Sequence, residues 1–113
     1  MSTAFDTKDG YTIELISEKG DTYTAARLVY DIDDSTAYGS YVPMLLKFSK
    51  SAKVKSLKPE YKVRITNGKH QLTLESITIS DISSNAMQLR STDKIANITR
   101  ATKAFLKKTK HGG

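Results

Sequence analysis

The segment Tyr61-Lys-Val-Arg-Ile-Thr-Asn-Gly-Lys-His-Gln-Leu-Thr-Leu-Glu-Ser-Ile-Thr-Ile79 carries two periodicities and one turn. Tyr61, Val63 and Ile65 alternate with Lys62, Arg64 and Thr66, the period of two that gives a strand one apolar and one polar face. Pro59, within Ser56-Leu-Lys-Pro-Glu60, turns the chain into this strand because it cannot donate to a ladder. Asn67-Gly68 is a strong hairpin signal. Leu72 and Leu74 resume the alternation, but Ile77 and Ile79 fall on the opposite phase. A strand that keeps all four inside needs one extra residue, so a bulge or break is expected near Glu75-Ser76.

The same reading extends in both directions. From Met44 to Lys55 the even positions are Met44, Leu46, Phe48, Lys50, Ala52 and Val54, and the odd ones Leu45, Lys47, Ser49, Ser51, Lys53 and Lys55. This predicts one long amphipathic strand, apolar on one side and basic on the other. Tyr11 to Ser17 and Thr22 to Ile32, separated by Glu18-Lys-Gly-Asp21, predict an N-terminal hairpin. Asp31 to Ser40, acidic and small, reads as a loop. Met87 to Arg90 is a last short strand, after which Ser91, Thr92 or Asp93 can cap a helix. Its apolar positions are Ile95, Ile98, Ala101, Phe105 and Leu106, with Ile95, Ile98, Phe105 and Leu106 expected to pack on sheet or on a partner chain. Lys94, Arg100, Lys103 and Lys107 take other faces, and lysines near the end complement the helix dipole. Residues 108–113 read as a flexible tail. The fold class is α+β: an antiparallel sheet with an N-terminal hairpin and a C-terminal amphipathic helix, one domain over 1–113.

Composition limits what such a domain does. A chain of 113 residues buries roughly two thirds of its unfolded surface, enough for one core. Cysteine is absent, so neither disulfides nor thiolate metal sites reinforce it. No apolar run approaches the roughly 20 residues that span a bilayer, and Met-Ser-Thr-Ala-Phe-Asp at the start lacks the features of a secretion signal. The net charge is +6, unevenly spread: residues 1–46 hold three basic and eight acidic groups (−5), residues 47–113 fifteen and four (+11). A localised positive field favours polyanions.

Lys47, Lys53, Lys55, Lys62 and Arg64 are the candidate RNA-binding residues, because two adjacent basic rows on one sheet face would track a phosphate backbone. A solvated sheet face is the alternative, since strand lysines also discourage edge pairing. The inventory for catalysis is poor: there is no cysteine nucleophile, and His70 and His111 are the only imidazoles, the first read as a turn residue and the second in the tail. No catalytic residue, metal or cofactor is expected. Asp31-Ile-Asp-Asp34 lacks the glycine and distant glutamate of a calcium loop, and Gly112-Gly113 reads as a flexible end.

Two families are resembled. Asp81-Ile-Ser-Ser-Asn-Ala86 is similar to the D-x-S-x-x-G element of PilZ domains, which bind cyclic dinucleotides, with Ala86 in place of the glycine and no arginine pair before it. The broader resemblance is to coat proteins of small single-stranded RNA bacteriophages. Lys58-Pro-Glu-Tyr-Lys-Val-Arg-Ile65 resembles their R-x-x-Y-K-V strand, and Ser91-Thr-Asp93 opens a helix ending Ala104-Phe-Leu106. That resemblance implies a non-catalytic homodimer sharing one sheet, with helices packed over the partner and RNA on the opposite face. It further implies assembly into a shell, location in the virion and synthesis in host cytoplasm. Long strands with uncovered edges also argue for self-association. The chain departs from the family in having little sequence after Leu106 for a second helix. A monomeric RNA or single-strand binding module, or a phage-encoded regulator, is the alternative.

Overall fold

A computed structural model describes residues 2–32, 41–51, 53–54 and 57–110. Eight strands, a short 3-10 helix (Thr7–Asp9) after the first of them, and one α-helix lie among the described residues: β1 (Ser2–Asp6), β2 (Thr12–Ser17), β3 (Thr22–Ala25), β4 (Arg27–Asp31), β5 (Val42–Lys47), β6 (Tyr61–Asn67), β7 (His70–Ser83), β8 (Ala86–Ser91) and α1 (Ile95–Lys110). All strand pairs are antiparallel, in the spatial order β1-β4-β5-β8-β7-β6-β2-β3. The α+β class and the C-terminal helix are therefore as expected, but α1 runs to Lys110, so residues 108–110, read as tail, are helical.

The hairpin turns follow from local chemistry. Gly68 takes φ +59 at the first central position between Asn67 and its partner His70, where a side chain would be strained. His70 thus opens β7 and is not part of the turn itself. Gly20, at φ +91, closes the β2–β3 turn, where its N–H donates to the Ser17 carbonyl.

The phase break in β7 is present. Tyr61 pairs with Ile77 but Val63 with Leu74, so β7 carries one extra residue, and Ser76 there adopts φ +56. Leu72, Leu74, Ile77 and Ile79 are consequently all buried. The first half of β7 pairs with β6 and the second with β8. A second bend divides what the sequence presents as one strand, Thr22 to Ile32. Ala26 alone separates β3, at one edge of the order, from β4, next to the other edge. Its N–H donates to the Lys47 carbonyl and its carbonyl accepts from Thr7. One residue spans about 3.8 Å, so the sheet curls until its two ends nearly meet.

The predicted Met44 to Lys55 strand is shorter than its alternation suggests. It ends at Lys47; Phe48 is clasped instead by Asn85, whose carbonyl accepts from the Phe48 N–H and whose side-chain amide donates to the Phe48 carbonyl. Thus β5 spans the width of its neighbours β4 and β8, and no long free edge results; the edges are the short strands β1 and β3.

Helix α1 lies against β7 and fills the concave side. Ile98 and Phe105 are buried, and Ile95 and Leu106 half-buried, within the same chain. Phe105 meets the rings of Phe5 (5.7 Å) and Tyr11 (6.0 Å), tying the helix to the first strands. Buried Tyr30 hydrogen-bonds Thr102 at 2.8 Å, and Tyr11 hydrogen-bonds Thr109 at 3.0 Å. Ala101, read as apolar stripe, is exposed; Thr99 and Thr102 are buried instead. At the start of α1, Asp93 accepts from the Lys94 N–H and the Asn97 amide, placing a carboxylate at the positive end of the dipole.

Phe105→Ala is expected to cost about 3–5 kcal/mol in urea unfolding, because it empties the junction of α1 with β1 and β2. The two buried threonines should behave oppositely. Thr99 Oγ1 is buried with no hydrogen-bond partner, so Thr99→Val should raise stability by about 1 kcal/mol. Thr102→Val, which strands the Tyr30 hydroxyl, should lower it by about 1–3 kcal/mol.

Candidate nucleic-acid interface

The strand registers place the outward side chains in rows across the curled sheet. One half carries the rows Ser2–Asp31, Pro43–Arg90–Thr78, Ala4–Val29–Leu45–Gln88 and Asp6–Arg27–Lys47–Ala86. The other half carries Thr24–Glu14–Arg64–Thr73.

The structure separates the predicted basic residues. Lys62 and Arg64 lie together on β6, but Lys47 is on β5, and β8 and β7 stand between these strands. At about 4.8 Å per strand, the two groups are about 14 Å apart. They form no adjacent rows, which corrects the expectation. Lys53 follows β5 in irregular chain, exposed, and Lys55 lies outside the described residues. So do Asp33, Asp34 and the terminal His111, Gly112 and Gly113.

Carboxylates that are distant in sequence also answer most of the sheet's cations. Arg64 donates to Glu14 from Nε (3.2 Å) and Nη2 (2.9 Å). Lys62 pairs with Glu75 at 3.1 Å, an exposed contact worth little in stability but placing a negative charge beside the cation. Arg27, opposite Lys47, is engaged by Asp6 at 2.9 Å. The Lys8 N–H and the Arg27 guanidinium hold the Asp6 carboxyl below its ordinary range.

Helix α1 has the opposite character. Residues 94–110 contain Lys94, Arg100, Lys103, Lys107, Lys108 and Lys110 and no acid. These six account for the entire net charge of +6, the other twelve cations being matched by the twelve acids. Arg100, Lys103 and Lys107 recur at i, i+3 and i+7, forming a ridge opposite the Ile98–Thr102–Phe105 stripe. All three are exposed, with Lys108 on the flank. Among the described residues the one polar contact on this ridge is Arg100 donating to Asn97 at 2.9 Å, and none of the three has a carboxylate partner. Like charges at i, i+4 cost a few tenths of a kcal/mol, and Arg100 and Lys103 sit too far from the helix end for the dipole to offset this. Over about 10 Å of axis, the ridge offers three uncompensated cations to a polyanion.

Comparison with protein-family models, with curated proteins and with solved structures finds no match.

The Asp6 contacts set a pH dependence. A carboxyl whose folded pKa lies below its ordinary 3.8 contributes stability that is fully present above that value and lost as pH falls through the folded one. Urea unfolding over an acid pH series should show this loss in the wild type and a shallower one in Asp6→Asn.

Proposed function

We propose that this chain is a non-catalytic RNA-binding module that meets phosphates on the outer ridge of α1, through Arg100, Lys103 and Lys107. The observation that carries the reading is the location of the whole net positive charge on one acid-free helical segment. Uncompensated cations that neutralise phosphates release the counterions condensed on the nucleic acid. Lys62 and Arg64 already face Glu75 and Glu14, so they offer less. The exposed positions between the cations are Ala96, Asn97, Ala101 and Ala104. None is the aromatic or leucine residue that an interfacial helix inserts into lipid, which favours nucleic acid over an anionic membrane. Among the described residues no helix is long and apolar enough to cross a membrane.

This is the monomeric alternative, in preference to a capsid-forming coat protein with RNA on the sheet. The physical argument for self-association rests on long strands with uncovered edges, and a helix stripe can pack on its own sheet or on a partner chain. Here the stripe of α1 closes its own sheet, and the edges are short. A coat-type assembly would have to pair copies through other surfaces.

The test compares single-stranded RNA affinity over a salt series for the wild type, Arg100→Gln/Lys103→Gln/Lys107→Gln, and Lys47→Gln/Lys62→Gln. Neutralising three contacts should flatten the log–log salt slope by about 2, at about 0.7 per contact, and the sheet pair should change it by less than half as much. A larger effect of the sheet pair would return the interface to the sheet. Equal binding to anionic lipid vesicles would reduce the ridge to a generic cationic surface. Closed shells in negative-stain microscopy would restore the coat-protein reading.

A further inference from the structure

On the outer face, across β4, β5 and β8, lies a groove of about 390 Å³, within the range of about 300–1,000 Å³ that small-ligand sites occupy. Its floor is apolar: Val29 and Leu45 are cross-strand neighbours, with Pro43 beside them. Gln88 continues the row from Leu45 and presents an exposed amide.

Arg90 closes one end. Its guanidinium lies 4.5 Å from the centroid of the Tyr41 ring, and Tyr41 is 41% exposed. Among the described residues the outer sheet face carries three arginines. Arg27 and Arg64 are each bound to a carboxylate, but Arg90 has none. An aromatic face holds this guanidinium in place without consuming its N–H donors, which remain available to an anion. Asp31, another exposed lining residue, stands on β4 beyond Pro43, two strands from Arg90, or about 10 Å. The groove is therefore positive at one end, negative at the other and apolar between.

We propose that this groove binds a nucleotide whose base carries an exocyclic amine: the phosphate on Arg90, the base face on Val29 and Leu45, the amine toward Asp31. Gln88 supplies an amide that can donate to and accept from the base edge. A peptide carboxylate would engage Arg90 but leave the floor and Asp31 unused. An uncharged aromatic ligand would leave Arg90 unanswered. The groove faces away from α1, so the site stands independently of the ridge.

The test is titration of the full chain, followed by the amide resonances of Leu45 and Gln88, with adenosine monophosphate, uridine monophosphate, adenosine and inorganic phosphate. Adenosine monophosphate should give saturable shifts at both amides, with adenosine and phosphate each weaker by about tenfold or more. Arg90→Gln should weaken the nucleotide by about tenfold and leave adenosine unchanged. Asp31→Asn should abolish the preference for adenosine monophosphate over uridine monophosphate. Adenylate oligomers applied to the Arg100→Gln/Lys103→Gln/Lys107→Gln variant separate the two sources of this chemistry. Shifts at Leu45 and Gln88 assign the site to a base within a strand; binding of the mononucleotide alone assigns it to free nucleotide. No saturable shift up to about 10 mM nucleotide, shifts confined to α1, or an Arg90→Gln variant that binds as the wild type would overturn the proposal. The change of salt slope on removing the α1 cations reads α1, and the Leu45 and Gln88 amides read the groove in the variant that lacks those cations, so either site can fail while the other stands.

Discussion

Strand β7 has to serve two halves of one sheet with a single run of side chains. Its apolar residues change phase between Leu74 and Ile77, and without an extra residue one pair or the other would face water. The bulge at Glu75-Ser76 resolves this, with Ser76 held at φ +56, and it lets the chain pair with β6 before the bend and β8 after it. Ser91 and Thr92 secure the site: the Ser91 hydroxyl donates to the Glu75 carbonyl and the Thr92 N–H to the Ser76 carbonyl. The same contacts deliver the chain into α1. The complementary bend at Ala26 brings the other side of the sheet around, leaving a concavity that one amphipathic helix can close.

That closure explains the mixed character of the inner face of α1. Ile98 and Phe105 supply apolar surface, while Thr102 and Thr109 hold the tyrosine hydroxyls that reach across from β4 and the start of β2. A buried tyrosine needs a partner for its hydroxyl; burial raises the Tyr30 pKa above its ordinary range, the Thr102 hydrogen bond opposing this only in part. The phenol therefore stays neutral and structural.

The charge distribution follows from the same geometry. On a sheet, an outward side chain has cross-strand neighbours contributed by distant sequence, and these can neutralise it: Glu14 reaches Arg64 across β2 and β6, and Asp6 reaches Arg27 across β1 and β4. The outer face of a helix packed by its opposite face has mainly its own i±3 and i±4 neighbours. In α1 these supply no acid. Its positive charge therefore remains available, whereas the basic alternation of the strands is largely answered within the fold.

This separates the two levels of information. Period and punctuation in the sequence alone determined the antiparallel sheet, the Asn67-Gly68 turn, the β7 phase break and the helix buried through Ile98 and Phe105. Each depends on residues within a few positions of one another. The sequence likewise shows that 94–110 lack an acid. Only the tertiary structure decided that Lys47 lies three strands away from the β6 cations, that β5 stops at Lys47, and that Glu14 and Glu75 stand beside Arg64 and Lys62. The tertiary structure also set Arg90 against Tyr41 over an apolar floor. Strand order and register bring together residues tens of positions apart, and alternation within one strand carries no record of which strand lies beside it.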